Sequence, residues 1–452
     1  MSSIAALAEL VAGVRLSDIP EPLADKLRLH LFDTLGAATV GGRTAEAQAA
    51  AALVRDVSSS SDVPALGSGV RSSPALAALA SCVAIRCTEV DDIHLESCTT
   101  PASVVVPTAL ALASADPAVD APTFLAALLA GYEVLTRFGK AASGPAILYR
   151  GIWPTYLAAR LGAAATAARM LALTPPLAAN ALATALALTA GIASRSLAGI
   201  PARWLTLGSA VEQGILAAAG ARRGFEGDTD MLDGAWSRVT GIELDAAALV
   251  EALGSSYETA RVSIKPYCSA KQATSSICCF LDMVDSEGLD PAGIEQIVVS
   301  VPRAYLAMID QPRPPSHRLA SIISVQYQLA LAAYHRRELR DVLRPVLHDD
   351  PSFAAFMGKI RVQPDEELAR HYPRAWPAKL EISTGAGRVS RQVEHTIGDP
   401  DAPFSWNDAI QKFEDVAGQF LTPAVTAKLA AACRGLGSST ELAQLLDLLA
   451  AI

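Results

Sequence analysis

The sequence is poor in aromatic and charged residues. Only 5% of its 452 residues are aromatic and 18% are charged, whereas 51% are hydrophobic, with Ala and Leu in long runs. This composition excludes an intrinsically disordered chain and a solvated coiled coil. Because Ala and Leu are strong helix formers, it predicts packed helices rather than strands.

Several motifs of cofactor enzymes and hydrolases are also absent. The chain has no GxxxxGK(S/T), no GxGxxG after a strand, no GxSxG and no HExxH. These absences remove the support for nucleotide-phosphate, dinucleotide, serine-hydrolase and zincin sites. The seven cysteines include no CxxC pair and no zinc spacing to histidine, so we expect reduced, mostly buried thiols.

An excess of basic residues and an export signal are missing as well. The net charge of −9 argues against a surface for nucleic acid or anionic membranes. The first apolar stretch contains Glu9 and has no basic region before it, unlike a signal peptide. The most apolar window, residues 176–193, contains Asn180 and is more typical of a buried helix than of a membrane span. We therefore expect a cytoplasmic protein without nucleic-acid or membrane partners.

The pattern of hydrophobic residues changes twice along the chain. Helical periodicity covers most of residues 1–268 and returns in residues 401–452, which we expect to rejoin the first helical part. Between them, residues 297–302, 379–383 and 388–393 carry the β-branched pattern of strands. The sequence thus predicts a mostly α protein with a large all-helical domain and a smaller α+β domain over residues 269–400.

The densest group of polar residues lies between two apolar helices, in residues 88–96. It contains Glu89, Asp91, Asp92, His94 and Glu96. A base tuned by neighbouring carboxylates could be built here, or an anion site of His94 and backbone N–H groups. A polar loop in which Asp91 or Asp92 caps the next turn is the alternative that spacing alone favours. A metal site of Asp91, Asp92, His94 and Glu96 is a third possibility.

A second polar group follows at the change in pattern. Pro266 keeps Lys265 extended, and Lys271 and Gln272 come directly after it. These residues are candidates for binding an anion, although ordinary surface lysines would look the same. Further on, Ser324 and Tyr327 share one helical face, where a tyrosine is more often a core residue than an acid.

In their order along the chain, these segments resemble the MmgE/PrpD family of dehydratases, decarboxylases and epimerases. Residues 89–94 (EVDDIH) are similar to the family's D-F-D-D-T-H, residues 151–155 (GIWPT) to G-F-H-P-T, and residues 199–208 to G-T-M-T-K-P-L-H-x-G. Residues 265–267 match K-P-Y, and residues 324–327 match S-x-x-Y. The resemblance implies a helical domain with an α+β lid, an active site in the cleft between them, a homodimer and no organic cofactor.

The resemblance also implies roles for individual residues. The predicted catalytic residues are Asp91, Asp92, His94, Lys265 and Tyr327. The predicted substrate-binding residues, including those of the segment after Lys265, are Glu89, Thr100, Trp153, Arg203, Lys271, Gln272 and Thr274.

This sequence departs from the family pattern at several of those positions. Glu89 replaces the first acid, Arg203 replaces a lysine, and Thr100, Trp153 and Thr274 replace histidines. Threonine does not titrate and an indole accepts no proton, so the dehydratase reaction cannot be assumed.

We expect a cofactor-independent lyase or isomerase that removes a proton next to a carbonyl, imine or carboxylate of a small acidic metabolite. Arg203 and Lys265 would hold the anion. Trp153 predicts a small, partly apolar pocket with poor activity on citrate, 2-methylcitrate and cis-aconitate, unless it points into the core. A non-catalytic metabolite-binding protein and a divalent-metal lyase are the alternatives.

Overall fold

The computed structural model describes residues 1–189, 200–347 and 349–450. It confirms the mostly α fold with small sheets. The chain divides into two compact units, one of residues 1–263 with 405–452 and one of residues 264–404. The second unit is a few residues longer at each end than the predicted 269–400, and it includes Lys265.

The first unit consists mainly of helices. In chain order they are α1 Ser3–Gly13, α2 Glu21–Gly41, α3 Ala45–Val57, α4 Pro74–Arg86, α5 Ala102–Ala115, α6 Ala121–Ala141, α7 Gly144–Tyr149, α8 Pro154–Met170, α9 Pro175–Ala187, α10 Ala202–Arg222, α11 Trp236–Thr240 and α12 Ala246–Val250. After the second unit, the chain adds α19 Trp406–Ala417, α20 Pro423–Gly435 and α21 Leu442–Ala450.

The core of this unit depends on small residues that let helices approach closely. Helix α8 packs against α6 and α10, and α10 also packs against α4. A Cβ atom at Gly131 of α6 would lie 2.0 Å from Thr166 Oγ1 of α8, and one at Gly214 of α10 would lie 2.5 Å from the Ala163 Cβ. The Ala bias of the sequence therefore reflects close helix packing.

The C-terminal helices pack on the beginning of the chain. The rings of Phe32 in α2 and Phe413 in α19 stack with centroids 4.7 Å apart. Beside them, the ammonium of Lys412 lies 2.7 Å from Asp33 Oδ1 and donates to the carbonyl of Val90 at 2.8 Å. This buried pair thereby anchors the segment that follows α4.

The first unit is not purely helical, which corrects one part of the prediction. Two short antiparallel ribbons occur in it, β1 Val63–Pro64 with β2 Arg71–Ser72, and β3 Ile93–His94 with β4 Val262–Ser263. Strands of two residues leave too little periodicity to be recognised in a sequence. The second ribbon joins the polar segment 88–96 to the last residues before the second unit.

The second unit combines a sheet with helices. Its strands are β5 Ile294–Val301, β6 Ile360–Pro364, β7 Ala378–Thr384 and β8 Gly387–Val393. Its helices are α13 Lys271–Glu287, α14 Leu306–Ile309, α15 Arg318–Ile323, α16 Val325–Tyr334, α17 Pro351–Met357 and α18 Glu366–Ala369.

The sheet has the strand order β6-β5-β7-β8, with β5 and β6 parallel and the other pairs antiparallel. The predicted strands at residues 297–302, 379–383 and 388–393 are confirmed by β5, β7 and β8. Buried apolar side chains alternate along β7 with more exposed polar ones, as expected for a sheet covered on one face. Helix α13 packs against β7 and β8 and supplies that cover.

The apolar window at residues 176–193 contributes to a buried helix over its described part. Most side chains of α9 are buried, and Asn180 Oδ1 accepts a hydrogen bond from the Gly227 N–H. Among the described helices, none combines the length and the hydropathy needed to cross a bilayer. The seven cysteines, all of them described, form no disulfide, and six of them are buried.

Candidate active site

Asp92 anchors the beginning of α5. Its Oδ1 accepts a hydrogen bond from the Ala102 N–H at 2.9 Å, and its Oδ2 accepts one from the Tyr132 hydroxyl at 2.9 Å. The same Oδ2 lies 3.1 Å from His30 Nδ1, and the side chain is 1% exposed. Asp92 was predicted to be catalytic. This geometry instead favours a capping role, directed at α5 rather than at the next turn.

One ring nitrogen of His94 is hydrogen-bonded inside the first unit, and the other is not. The Ser97 N–H donates to Nδ1 at 3.2 Å, which leaves the hydrogen on Nε2. This Nε2 lies 3.2 Å from Glu258 Oε2, but it makes no hydrogen bond within the described residues. The side chain is completely buried. The predicted role of His94 in proton transfer stays a prediction, and its Nε2 is the nitrogen that keeps a hydrogen to give.

Glu258 links His94 to a surface cation. Its Oε1 accepts a hydrogen bond from Lys140 Nζ at 2.7 Å. Burial alone would raise the pKa of Glu258, but the adjacent His94 and Lys140 side chains hold it at about 2. The folded protein therefore favours the ionised carboxylate more than the unfolded chain does, whose pKa is near 4.5.

The depressed pKa predicts that protonation of Glu258 lowers the stability of the protein in acid. Its stabilising effect is complete above pH 4.5 and disappears as the pH falls toward 2. We expect Glu258→Gln to lower the melting temperature by several degrees at pH 6 and to flatten its decrease between pH 5 and pH 3. Thermal unfolding across this range checks it, with the exposed Glu243→Gln as control. Equal pH profiles for Glu258→Gln and wild type would contradict the assignment.

Glu89 and Asp91 of the polar segment belong to a group that we call the arginine–tryptophan cluster. It consists of Arg86, Glu89, Asp91, Trp153, Tyr156, Arg203 and Trp204. They come from the end of α4, the segment after it, the first turn of α8 and the first turn of α10. All of them belong to the first unit.

Arg203 lies between two indole rings. Its Cζ is 3.9 Å from the ring centroid of Trp204 and 4.7 Å from that of Trp153. Its Nη2 donates to Glu89 Oε1 at 3.0 Å. Stacking of this kind fixes a planar guanidinium and would not be reproduced by the lysine found in the family pattern.

Arg86 pairs with both carboxylates of the cluster. Its Nη1 lies 2.7 Å from Glu89 Oε2 and 3.2 Å from Asp91 Oδ1. Burial alone would lower the pKa of Arg86, but Asp91 and Glu89 outweigh it and raise the pKa. Glu89 has a φ of +60°, a left-handed conformation that is costly for a residue other than glycine. Such strain is concentrated at functional sites in proteins.

Three buried donors in the cluster have no hydrogen-bond partner in the part of the chain that the structure describes. They are Arg86 Nε, the Tyr156 hydroxyl and Trp204 Nε1. Each such group costs about 1–3 kcal/mol if it stays unsatisfied. Burial raises the pKa of Tyr156, so its hydroxyl keeps its proton at neutral pH. The cluster therefore offers donors suited to an oxygen-rich ligand.

Thr100 and Trp153 are both found beside this cluster. The Thr100 N–H donates to Thr155 Oγ1 at 3.1 Å, which connects the residues before α5 to the first turn of α8. Trp153 is half-buried and stacks on Tyr156 with ring centroids 5.9 Å apart. The side chain of Trp153 thus packs on Arg203 and Tyr156 rather than pointing away into the core.

The second unit holds the other predicted site residues. Lys271 forms a buried pair with Asp399 at 2.6 Å and donates to Thr396 Oγ1 at 2.9 Å. This pair fixes the turn at residues 396–399, whose Gly398 carbonyl accepts the Ile264 N–H next to Lys265. The ammonium of Lys271 is thus paired within the unit, and its predicted substrate-binding role stays a prediction.

Lys265, Gln272, Thr274 and Tyr327 are all buried. Thr274 Oγ1 donates to the Ala270 carbonyl of its own helix at 3.4 Å. The Tyr327 hydroxyl accepts a hydrogen bond from the Leu347 N–H at 3.1 Å. Their predicted roles in binding and proton transfer stay predictions.

The four residues considered for a metal site turn to different partners. Asp91 pairs with Arg86, Asp92 with Tyr132, His94 with Ser97, and Glu96 Oε1 accepts from Arg261 Nε at 2.7 Å. In the described ranges, no three His, Cys, Asp or Glu side chains come together as metal ligands. These contacts do not support the divalent-metal alternative.

The structure thus brings Glu89, Asp91, Trp153 and Arg203 together, whereas Asp92 and His94 contact other residues of the first unit. Arg86, Tyr156 and Trp204 were not identified from the sequence. The sequence feature that could have indicated Arg86 is its position as the one arginine at the end of the apolar helix α4. Trp204 could have been found only because it follows Arg203.

Comparisons with known proteins identify the family of this chain. The MmgE/PrpD N-terminal domain matches residues 5–245, and the MmgE/PrpD C-terminal domain matches residues 267–435. Cis-aconitate decarboxylase of Aspergillus terreus is 24% identical over 471 residues, covering 97% of this chain and 94% of the relative. The cis-aconitate decarboxylase-like protein oryM of Aspergillus oryzae is 27% identical over 235 residues, covering 51% and 48%. Because the two domain matches together span most of the chain, this protein belongs to the MmgE/PrpD family.

Proposed function

We propose that this protein is a lyase or isomerase that removes a proton next to a carbonyl, imine or carboxylate of a small acidic metabolite. The family and the distant cis-aconitate decarboxylase relatives favour lyase-type chemistry. The observation that carries the proposal is the set of three buried donors of the arginine–tryptophan cluster. The reaction needs no organic cofactor in this scheme.

The donors suit a reaction in which negative charge grows on an oxygen. When a base removes the proton from carbon, the electron pair moves onto the neighbouring oxygen and forms an enolate. Donors that are already oriented in a buried site stabilise this charge more than they stabilise the neutral substrate. Arg86 and Tyr156 keep their protons at neutral pH, so the cluster stabilises charge and does not act as the base.

Lys265, Tyr327 and His94 are the residues that we propose for proton transfer. His94 has a buried Nε2 that makes no hydrogen bond within the described residues. If Lys265 or Tyr327 is the base, Lys265→Ala or Tyr327→Phe abolishes proton exchange while substrate binding persists.

The charge balance of the cluster restricts the substrate. The guanidiniums of Arg86 and Arg203 face the carboxylates of Glu89 and Asp91, so little positive charge is left for a tricarboxylate. A third carboxylate placed against the indole of Trp153 would lose its hydration without a cation to replace it. We therefore propose an acid with fewer carboxylates or with an apolar group that faces Trp153.

A substrate panel in deuterated water tests this function. The panel contains citrate, 2-methylcitrate, cis-aconitate, 2-methylmaleate and 2-methylsuccinate, and mass spectrometry follows deuterium uptake and loss of the acid. We expect turnover or exchange for a smaller or partly apolar acid and little for the first three, with a large loss of activity in Arg203→Ala.

Two outcomes of the panel would contradict the proposal. Rapid conversion of cis-aconitate or 2-methylcitrate would show that the histidines are dispensable and that the substrate class is wrong. Binding of an acid without exchange or turnover by any member of the panel would favour the non-catalytic alternative.

A further inference from the structure

We propose that the first unit has a second binding site, for a small amphipathic anion with a carboxylate or phosphate head and an apolar tail. The site is a cavity of about 720 Å³, lined by the end of α2, α3, the β1–β2 ribbon, the end of α5 and the C-terminal helices. Its volume lies in the range of small-molecule sites. Neither the family matches nor the relatives assign a function to it.

The charge of the cavity is positive in a chain whose net charge is −9. Arg43, Arg55 and Arg71 line it, and no Asp or Glu is among the lining residues. Arg43 and Arg55 form no ion pair with a carboxylate of residues 1–189, 200–347 or 349–450. Three guanidiniums without a nearby lining acid favour an anionic head group, which they can bind through paired N–H donors.

Two of these exposed arginines contact other residues of the protein. The Cζ atom of Arg43 lies 5.1 Å from the ring centroid of Phe420. Arg71 donates from Nε to the Ser61 carbonyl at 2.8 Å and from Nη2 to the Asp62 carbonyl. Because these contacts restrict both side chains, less side-chain entropy is lost when an anion binds.

Another part of the cavity lining is apolar. Leu35, Ala38 and Leu110 come from α2 and α5, and Leu446 and Leu449 come from α21. Apolar side chains of this kind give no hydrogen bonds to a polar ligand, but they remove an alkyl chain from water, which favours binding. The combination therefore fits an amphipathic anion better than free phosphate.

Close backbone contacts fix the part of the cavity lining that the β1–β2 turn forms. A Cβ atom at Gly42 would lie 1.7 Å from the Gly67 carbonyl oxygen, and one at Gly67 would lie 2.0 Å from the Ala38 carbonyl oxygen. Leu66 N–H also donates to Ser81 Oγ at 2.8 Å. The turn between β1 and β2 is therefore fixed against α2 and α4.

This cavity is separate from the arginine–tryptophan cluster. Helix α5 begins next to Thr100 and has Leu110 and Ser114 near its other end, where they line the cavity. Its 14 residues span about 20 Å at 1.5 Å per residue. The second site consequently does not depend on the proposed function.

Calorimetric titration of the full chain tests the proposal with three probes that share an eight-carbon chain. They are octanoate, octyl phosphate and the neutral octanol. We expect one or both anions to bind with a Kd below 1 mM and octanol to bind at least tenfold more weakly. The anion that binds more tightly identifies the head group.

Two double variants separate this site from general surface charge. Arg43→Gln with Arg55→Gln should weaken anion binding at least tenfold, whereas Arg222→Gln with Arg223→Gln removes two exposed arginines elsewhere and should leave it unchanged. Absence of binding by both anions, equal binding of octanol, or equal effects of the two double variants would overturn the proposal.

Discussion

Replacing Arg203 by alanine should lower kcat/KM by about 100- to 1,000-fold, the usual effect of removing one group that stabilises charge in a transition state. The guanidinium is held between Trp153 and Trp204 and is directed by Glu89, so it is already oriented before the substrate binds. Steady-state kinetics with the most active acid of the panel measures the loss.

The matched control is Arg203→Lys, which keeps the charge and loses the planar stack. We expect intermediate activity, because an ammonium does not reproduce the orientation of a guanidinium between two indoles. The melting temperature of Arg203→Ala should fall only slightly, since Arg86 still neutralises Glu89. Wild-type kinetics in Arg203→Ala would exclude the cluster from catalysis.

Replacing Asp92 by alanine should reduce the free energy of unfolding by about 3–5 kcal/mol, as expected when one partner of a buried polar network is removed. The change leaves the Tyr132 hydroxyl, the Ala102 N–H and His30 without their acceptor in the core. Asp92→Asn keeps one oxygen and the same volume, so it should cost less. Urea unfolding of both variants measures the difference, with the exposed Asp447→Ala as control.

This variant separates two interpretations of Asp92. In the anchoring role, Asp92→Ala loses stability, and activity falls only with the folded fraction. In the catalytic role, the variant would keep its stability and lose its turnover. The second result would overturn the assignment made from the structure.

The helices and most strands could be predicted because their patterns are long. Strand β7 alternates over seven residues and β8 follows it after a short turn, so both were recognised. Strand β6 was missed, since its five residues Ile360–Pro364 end in a proline and are only partly buried. Its pairing with β5 is a tertiary contact that no local pattern reports.

The candidate site was predictable only in part. Arg203 and Trp153 were identified through the resemblance to the family, whereas Arg86 acquires its role from contacts with Glu89 and Asp91 that exist only in the fold. Asp91 and Asp92 are adjacent in sequence but accept hydrogen bonds from different residues, Arg86 and Tyr132 respectively. Spacing could not distinguish the residue in the cluster from the residue that anchors α5.

The indole N–H groups of the protein allow the most direct test of the arginine–tryptophan cluster. The chain has five tryptophans. The N–H groups of Trp236, Trp376 and Trp406 donate to Thr189, Pro373 and Asp25 respectively. Trp204 Nε1 is buried and has no acceptor among the described residues, so a bound substrate oxygen should reach it.

Nitrogen-15 labelling of tryptophan, with each resonance assigned by a Trp→Phe variant, makes these groups visible in solution. Titration with the most active acid of the panel should shift the Trp204 indole resonance saturably, with a smaller shift at Trp153 and none at the other three. The same titration of Arg203→Ala should show no saturable shift. Saturable binding that leaves Trp204 unchanged would contradict the assignment of this cluster as the substrate site.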